Sequence, residues 1–478
     1  MKEIIVFILL LISLIATADT TINVSYNDED GLAEAIMIAN SSPDNQHIIN
    51  IVDSDGFAFV ITKSLPAISG KVKLNGVIQN GKEVKFNPIA TFGGTFLKVE
   101  NGGELEVNNV RSIANFRSNN PGAGFFVDGF SILRANHLSL DGNVTQFDGG
   151  GVFCGDNSQC FFYNVDFNDN QASNSGGAVS CQGQCSFQWT DFSNNHADDS
   201  GGGVDCTGNC DFNNTRFWGN SSDIFACVVN VPFPNEASIE NSIITDPVNL
   251  CGTNYFDING GNLTLRSVYV ESDKDSDVAS CTGDCKIDGS VFKFNAGFSL
   301  SQKSTCNDFG TGAFSSLGHN LDSTDGCFFD QASDLVNTNP LVNIDSDGIP
   351  QPQNNSPLIE SGKSTLINAD LPCGYKDMNG LGRPQDFDGD GVFSCDRGPV
   401  ELQAGDDLDL AQSGLFYDVD RSGEGIIIEM LNQNTALVTM FTYHPNQTDL
   451  MWLIGVGTRV GNTIVIDNLQ RTSGGVFG

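Results

Sequence analysis

Between Gly149 and Asn220 the chain repeats itself at a spacing of 25 residues. Gly176-Gly177-Ala178-Val179-Ser180-Cys181 is followed by Cys185, Phe192 and Asn195. Gly201-Gly202-Gly203-Val204-Asp205-Cys206 is then followed by Cys210, Phe217 and Asn220. Cys160, Phe167 and Asn170 carry the same register earlier, and Cys281, Cys285, Phe292 and Asn295 carry it later. A period in this range marks a stacked architecture, in which each unit buries its apolar face only against its neighbours.

The repeat has no helical pattern. Short apolar pieces (Val152-Phe153-Cys154, Phe161-Phe162-Tyr163, Ala178-Val179, Phe187) are separated by clusters of Gly, Asn, Asp and Ser, which is the signature of short strands and turns. Three strands and three turns per unit describe a rung, so the fold class read from sequence is all-β, a right-handed parallel β-helix of about 25 residues per rung. Residues one period apart then lie above one another at a spacing of about 4.8 Å. Phe167, Phe192 and Phe217 are expected as an inward stack, and Asn170, Asn195 and Asn220 as a turn ladder bonded along the axis.

The pairing of Gly176-Gly177-Ala178-Val179 with Phe192-Ser193-Asn194-Asn195, and of Gly201 to Val204 with Phe217-Trp218-Gly219-Asn220, resembles the repeats of polymorphic outer-membrane proteins and related bacterial surface adhesins. The resemblance covers about 80 residues closely. It implies a coil displayed at a cell surface and says little about a particular activity.

Lys2, the apolar run Ile4 to Ile15, and Ala16-Thr17-Ala18 read as a secretory signal over residues 1–18. The run is too short to span a bilayer comfortably, and no transmembrane segment is expected after cleavage. Fourteen cysteines fit an oxidising destination. Cys-x3-Cys recurs at Cys181/Cys185, Cys206/Cys210 and Cys281/Cys285, whereas zinc sites prefer Cys-x2-Cys or mixed Cys/His sets. The pairs are therefore read as disulfides. Each pair either closes within its rung around a central glycine, the preferred reading, or bridges to a neighbouring rung. The net charge is −36, and residues 141–230 hold eleven Asp, no Glu and one basic residue, Arg216. Such a surface excludes nucleic acid as a partner and repels polyanionic glycans.

Leu32, Ala35, Ile36 and Ala39 have helical spacing behind Asp30, the expected N-cap of a helix that plugs the open end of the coil. Irregular strands follow at His47 to Val52, Phe57 to Ile61, Val72 to Leu74, Phe96 to Val99, Leu105 to Val107 and Leu138 to Leu140. The β-helix is assigned to residues 19–316. Over 317–402 the order of Gly318-His319-Asn320-Leu321, Asn339-Pro340-Leu341, Ser356-Pro357-Leu358-Ile359, Gly382-Arg383-Pro384 and Cys395-Asp396-Arg397-Gly398 resembles the choice-of-anchor Q domain, a terminal module behind bacterial parallel β-helices. Pro399-Val400-Glu401 departs from that family's usual ending, and Cys373 is expected to bridge Cys395. A polar linker at 403–412 precedes a small antiparallel β module at 413–478. This module is similar to one found on secreted proteobacterial proteins, and it reads as truncated because no closing strand follows.

Two chemistries remain to be weighed. Asp386, Asp388 and Asp390 sit in a turn that suits calcium, the one cofactor the chain suggests. The fuller EF-hand spacing at Asp418, Asp420, Ser422, Gly423 and Glu429 is set aside because its flanks read as strands. A glycoside hydrolase needs two carboxylates flanking one bond, for which Asp166, Asp191 and Asp205 are the candidates. A lyase needs a basic group that the central coil lacks. His137, His196 and His319 read as isolated. The functional reading is a secreted or cell-surface protein of a Gram-negative bacterium, outer-membrane associated and non-catalytic, that acts as an adhesin or glycan-binding rod. Its expected partners are glycans or components of host or neighbouring cell surfaces. The alternatives are a polysaccharide lyase or glycoside hydrolase on the same superfold, and a structural spacer.

Overall fold

The computed structural model describes residues 19–52, 58–77, 84–89, 93–246, 255–272, 279–294, 306–307, 313–324, 326–327, 329–363, 373–374, 376–387, 392–403, 414–416, 425–432, 435–443, 450–460, 463–466 and 468–471. The chain winds as a parallel β-helix. A twenty-stranded first sheet runs the length of the coil, and a nine-stranded second sheet extends from Leu97–Val99 to Cys306–Asn307. A third sheet is built of five two-residue strands from Arg117–Ser118 to Ser221–Ser222. The spacing between bonded rungs is 25 residues where the repeat is strict, 33 at Asn75–Asn108 and 22 at Val268–Ser290. Turns absorb the difference, so the registers of the sheets are kept.

Helix α1, Glu29–Ser41, covers the N-terminal end with Leu32, Ala35, Ile36 and Ala39 buried. Its cap is Asp28, not Asp30: the Asp28 carboxylate accepts the Gly31 N–H at 2.9 Å. Asp30 lies in the first turn instead, where it pairs with Lys63. The strand expected at Leu138–Leu140 is the end of a longer one, Ile132–Asp141.

Each repeat glycine pair has a steric cause. Gly176 and Gly201 take φ of +73° and +65°, values that favour glycine. Their followers have no room for a side chain. A Cβ on Gly177 would lie 2.2 Å from the Gly202 carbonyl oxygen of the next rung.

The interior holds two phenylalanine ladders. Phe167, Phe192 and Phe217 stack with centroids 4.9 Å apart. Beside them Phe162, Phe187 and Phe212 stack at 5.0 and 4.7 Å, and the two ladders meet edge to face, as at Phe187–Phe192. Strict strand alternation would send Phe162 and Phe167 to opposite faces. Asn164 lies between them with φ of +52°, and Trp189 and Asn214 turn the chain in the same way on the next rungs. The bend resets the alternation, so both rings point inward.

Asn143, Asn170, Asn195 and Asn220 form a buried ladder. Each Asn195 group is satisfied. Its Nδ2 donates to Phe167 O and Asn220 Oδ1 at 2.9 Å, and its Oδ1 accepts the Asn170 N–H and Nδ2 at 3.0 Å. Disulfides Cys181–Cys185, Cys206–Cys210 and Cys281–Cys285 close within their rungs, as does Cys154–Cys160.

Behind the coil, Cys373 is bonded to Cys395. The buried Arg383 guanidinium donates to Glu401 Oε2 at 3.0 Å, to the Asp396 and Gly398 carbonyls, and to Asn241 Oδ1 of the coil at 3.3 Å. Arg397 donates to Asn320 O at 2.6 Å and Ser333 O at 2.8 Å. The motif residues of this segment thus fasten it to the last rungs. Strands Gly414–Phe416, Gly425–Asn432, Thr435–Tyr443, Leu450–Val460, Thr463–Val465 and Gln470–Arg471 form a separate antiparallel sheet. Residues 1–18, most of the 403–412 linker, the EF-hand-like stretch 418–423, and Asp388 and Asp390 of the calcium turn lie outside the described residues.

Candidate functional site

One outward column of the first sheet sets the site. Parallel register stacks Ser112, Ser139, Asp166, Asp191 and Arg216 on successive rungs, and then Ile243, Tyr269, Val291 and Leu321. The polar members face solvent. The apolar ones form a second hydrophobic cluster with Leu358, Met378 and Val400 of the segment that folds back over the coil. Where cover begins, a hairpin of strands Val342–Ile344 and Pro350–Pro352 leans across the sheet, held by Val342 and Ile349 against that cluster.

Between hairpin and sheet lies a cleft of about 560 Å³. Asp166, Asp191 and Arg216 form its floor, with Trp218, Ser193 and Asn168 from the neighbouring outward column and residues 345–348 as its wall. Trp218 is 40% exposed and lines the cleft, so part of its indole surface is accessible there. Arg216 ties floor to wall by donating to the Asp191 carboxylate and to the Asp347 carbonyl. Asp345 shapes the turn: its carboxylate accepts the Asp347 and Ile349 N–H groups and the Gln351 amide, each at 2.9 Å.

The carboxylates differ electrostatically. Burial, with the charges of Asp191 and Asp141, pushes Asp166 up to about 6, against the pull of Arg216. Asp191 is also raised by burial, opposed by its contact with Arg216. At Asp345 burial acts upward, but the hydrogen bonds of Ile349, Gln351 and Asp347 outweigh it and hold the group below its usual range.

Asp166 and Asp191 are thus brought together one rung apart, about 4.8 Å along the axis. Asp205 is elsewhere. It belongs to the second sheet, is 6% exposed, and accepts Asn230 Nδ2 at 2.6 Å. Sequence reasoning missed Trp218 and the 345–348 turn as partners of the aspartates, because the turn lies more than a hundred residues away and folds back over the sheet. His137 packs edge-on to Tyr163, and His319 contacts Ser361 O at 3.0 Å. His196 is not isolated: its Nε2 lies 3.3 Å from Asp198 Oδ1 and 3.9 Å from Asp223 Oδ1.

The family model for the Chlamydia polymorphic membrane protein repeat matches residues 164–182, the rung that carries Phe167, Asn170 and Gly176-Gly177-Ala178-Val179. No curated protein and no solved structure matches the chain. Repeat and coil together fit a surface β-helix protein. Among the described residues no helix is long and apolar enough to cross a membrane.

Proposed function

We propose that this chain is a non-catalytic rod, exported to or held at the surface of a Gram-negative cell, that holds a neutral glycan in the cleft beside Trp218. The observation that carries this reading is a part-exposed indole lining one groove together with carboxylates and a guanidinium. An apolar ring supplies contact area for a sugar face, while a few fixed polar groups orient its hydroxyls. Four aspartates (Asp166, Asp191, Asp345 and Asp347) face one arginine there, so uronate-rich or sulfated chains are disfavoured. The terminal segment then serves as wall and support for the groove.

A second reading, glycoside hydrolysis, draws on one observation. Asp166 keeps its proton up to about 6 beside Asp191, and carboxyl groups about 5–5.5 Å apart suit a retaining mechanism. Arg216 occupies the Asp191 carboxylate, however, which leaves the second group engaged in the unliganded cleft.

Incubating the intact protein with a panel of neutral and acidic glycans separates the readings. Retention on neutral glycans with no change in glycan mass supports the binding rod. Oligosaccharide products that vanish in Asp166→Asn establish the hydrolase, and neither retention nor products leaves a spacer.

A further inference from the structure

A second cluster of ligating side chains lies away from the cleft, on the turn that follows the third sheet. Strand His196–Ala197 pairs in parallel with Ser221–Ser222, so Asp198 and Asp223 occupy equivalent places on adjacent rungs. The ligand atoms of His196, Asp198 and Asp223 all lie within 4.8 Å of one another. A tetrahedral ion with bonds of about 2.0–2.1 Å holds its ligand atoms roughly 3.3 Å apart. The separation of 3.3 Å between His196 Nε2 and Asp198 Oδ1 already meets that figure. The 3.9 Å to Asp223 Oδ1 requires only a small movement of a carboxylate whose side chain is 69% exposed.

Two further observations point to a cation rather than to a simple ion pair. His196 Nδ1 lies 2.9 Å from Ser221 Oγ. A hydrogen bond of this kind on the other ring nitrogen orients a metal-binding imidazole and fixes which nitrogen faces the ion. The charge around the cluster is also unbalanced. Arg216 is the one basic residue between 141 and 230, and it is engaged at Asp191 and Asp347. Lys and Arg side chains from that stretch therefore do not offset the two stacked aspartates.

We propose that His196 Nε2, Asp198 and Asp223 form a surface site for a divalent transition cation of the zinc class. Imidazole with carboxylates is a donor set for such an ion, whereas calcium prefers oxygen ligands throughout. The ligands come from two rungs, so a bound ion clips one rung to the next beside a sheet whose strands are only two residues long. Binding to the folded coil alone raises its stability with ion concentration. The site is independent of the glycan reading.

The test is calorimetric titration of the intact, tag-free, metal-stripped protein with zinc chloride at neutral pH, together with thermal melts over the same concentrations. The expected result is one zinc ion bound in the micromolar range with a rise in melting temperature. His196→Ala and Asp223→Asn should each abolish both signals, the zinc-dependent rise being read against each variant's own metal-free melting temperature. Ser221→Ala should keep the site but weaken it about tenfold, and calcium should not displace zinc. Absence of zinc binding in this range, or zinc binding that survives in the His196→Ala, Asp223→Asn double variant, overturns the proposal.

Discussion

Ile243 follows Arg216 one rung along the same outward column, and the change from guanidinium to aliphatic side chain marks where the fold-back segment begins to cover the coil. The cleft exists because of that boundary. On one side the column needs water, and on the other it needs cover. Ile243 is fully buried against Tyr269, Val291 and Leu358, so Ile243→Ala leaves a cavity and should cost about 2–5 kcal/mol. Limited proteolysis checks the consequence: cleavage after the coil should become faster in the variant, while the central rungs stay protected.

The asparagine ladder gives a sharper loss. Asn195→Ala removes the side-chain donor to the Phe167 carbonyl and the acceptor of the Asn170 backbone N–H inside the coil, while Asn170 Nδ2 keeps only its bond to Leu140 O. Each buried unsatisfied group costs about 1–3 kcal/mol. Chemical denaturation should show a loss of at least 2 kcal/mol or so by the same rule. Asn195→Asp should fare no better, since a carboxylate cannot donate to Phe167 O or Asn220 Oδ1.

Much of this interior was legible in the sequence. A strict 25-residue period fixed which residues stack, so the 167/192/217 ladder and the asparagine column followed from counting. The companion ladder of Phe162, Phe187 and Phe212 did not. It depends on left-handed bends at Asn164, Trp189 and Asn214; asparagine favours such a bend but also fills ladder positions throughout this coil, and tryptophan gives no sign of one. The cleft was half legible. Asp166 and Asp191 share a repeat position, but the turn at 345–348 meets them through a fold-back packed on Ile243 and Tyr269. That contact has no sequence period to follow. The N-cap was misplaced because Asp28 and Asp30 offer the same side chain, and only the Gly31 N–H distinguishes them.

Asp205 supplies a pH signature. Burial pushes its carboxyl up to about 7, helped by the charges of Asp148 and Asp199 and opposed by the hydrogen bond from Asn230. A folded-state value above the unfolded one means that the folded protein holds the proton more tightly. This contribution is therefore present at low pH and is lost as pH rises from about 4 to about 7. Asp205→Asn removes the titration. It should melt close to the parent at pH 4 and above it at pH 8, by an amount that linkage caps on the order of 4 kcal/mol. A variant that is destabilised equally at both values would show that the acid is charged in the folded coil.

The rung disulfides close loops of only a few residues. In the chain-entropy account, removing Cys181–Cys185 with a double alanine substitution should cost about 2 kcal/mol. Thermal melts of single-bridge variants should show similar losses for Cys206–Cys210, which closes the same length of chain. Much larger losses would place the main contribution of the bridges in packing rather than in chain entropy.

The most direct test of the glycan-binding reading is a calorimetric titration of the best-retained neutral oligosaccharide into the parent, Trp218→Ala, and Phe130→Ala, whose ring is 73% exposed and outside the cleft. The account predicts that Trp218→Ala weakens binding at least about tenfold, as loss of a central aromatic anchor does, and that Phe130→Ala binds like the parent. Equal affinity for Trp218→Ala and the parent would contradict it and move the binding face elsewhere on the rod.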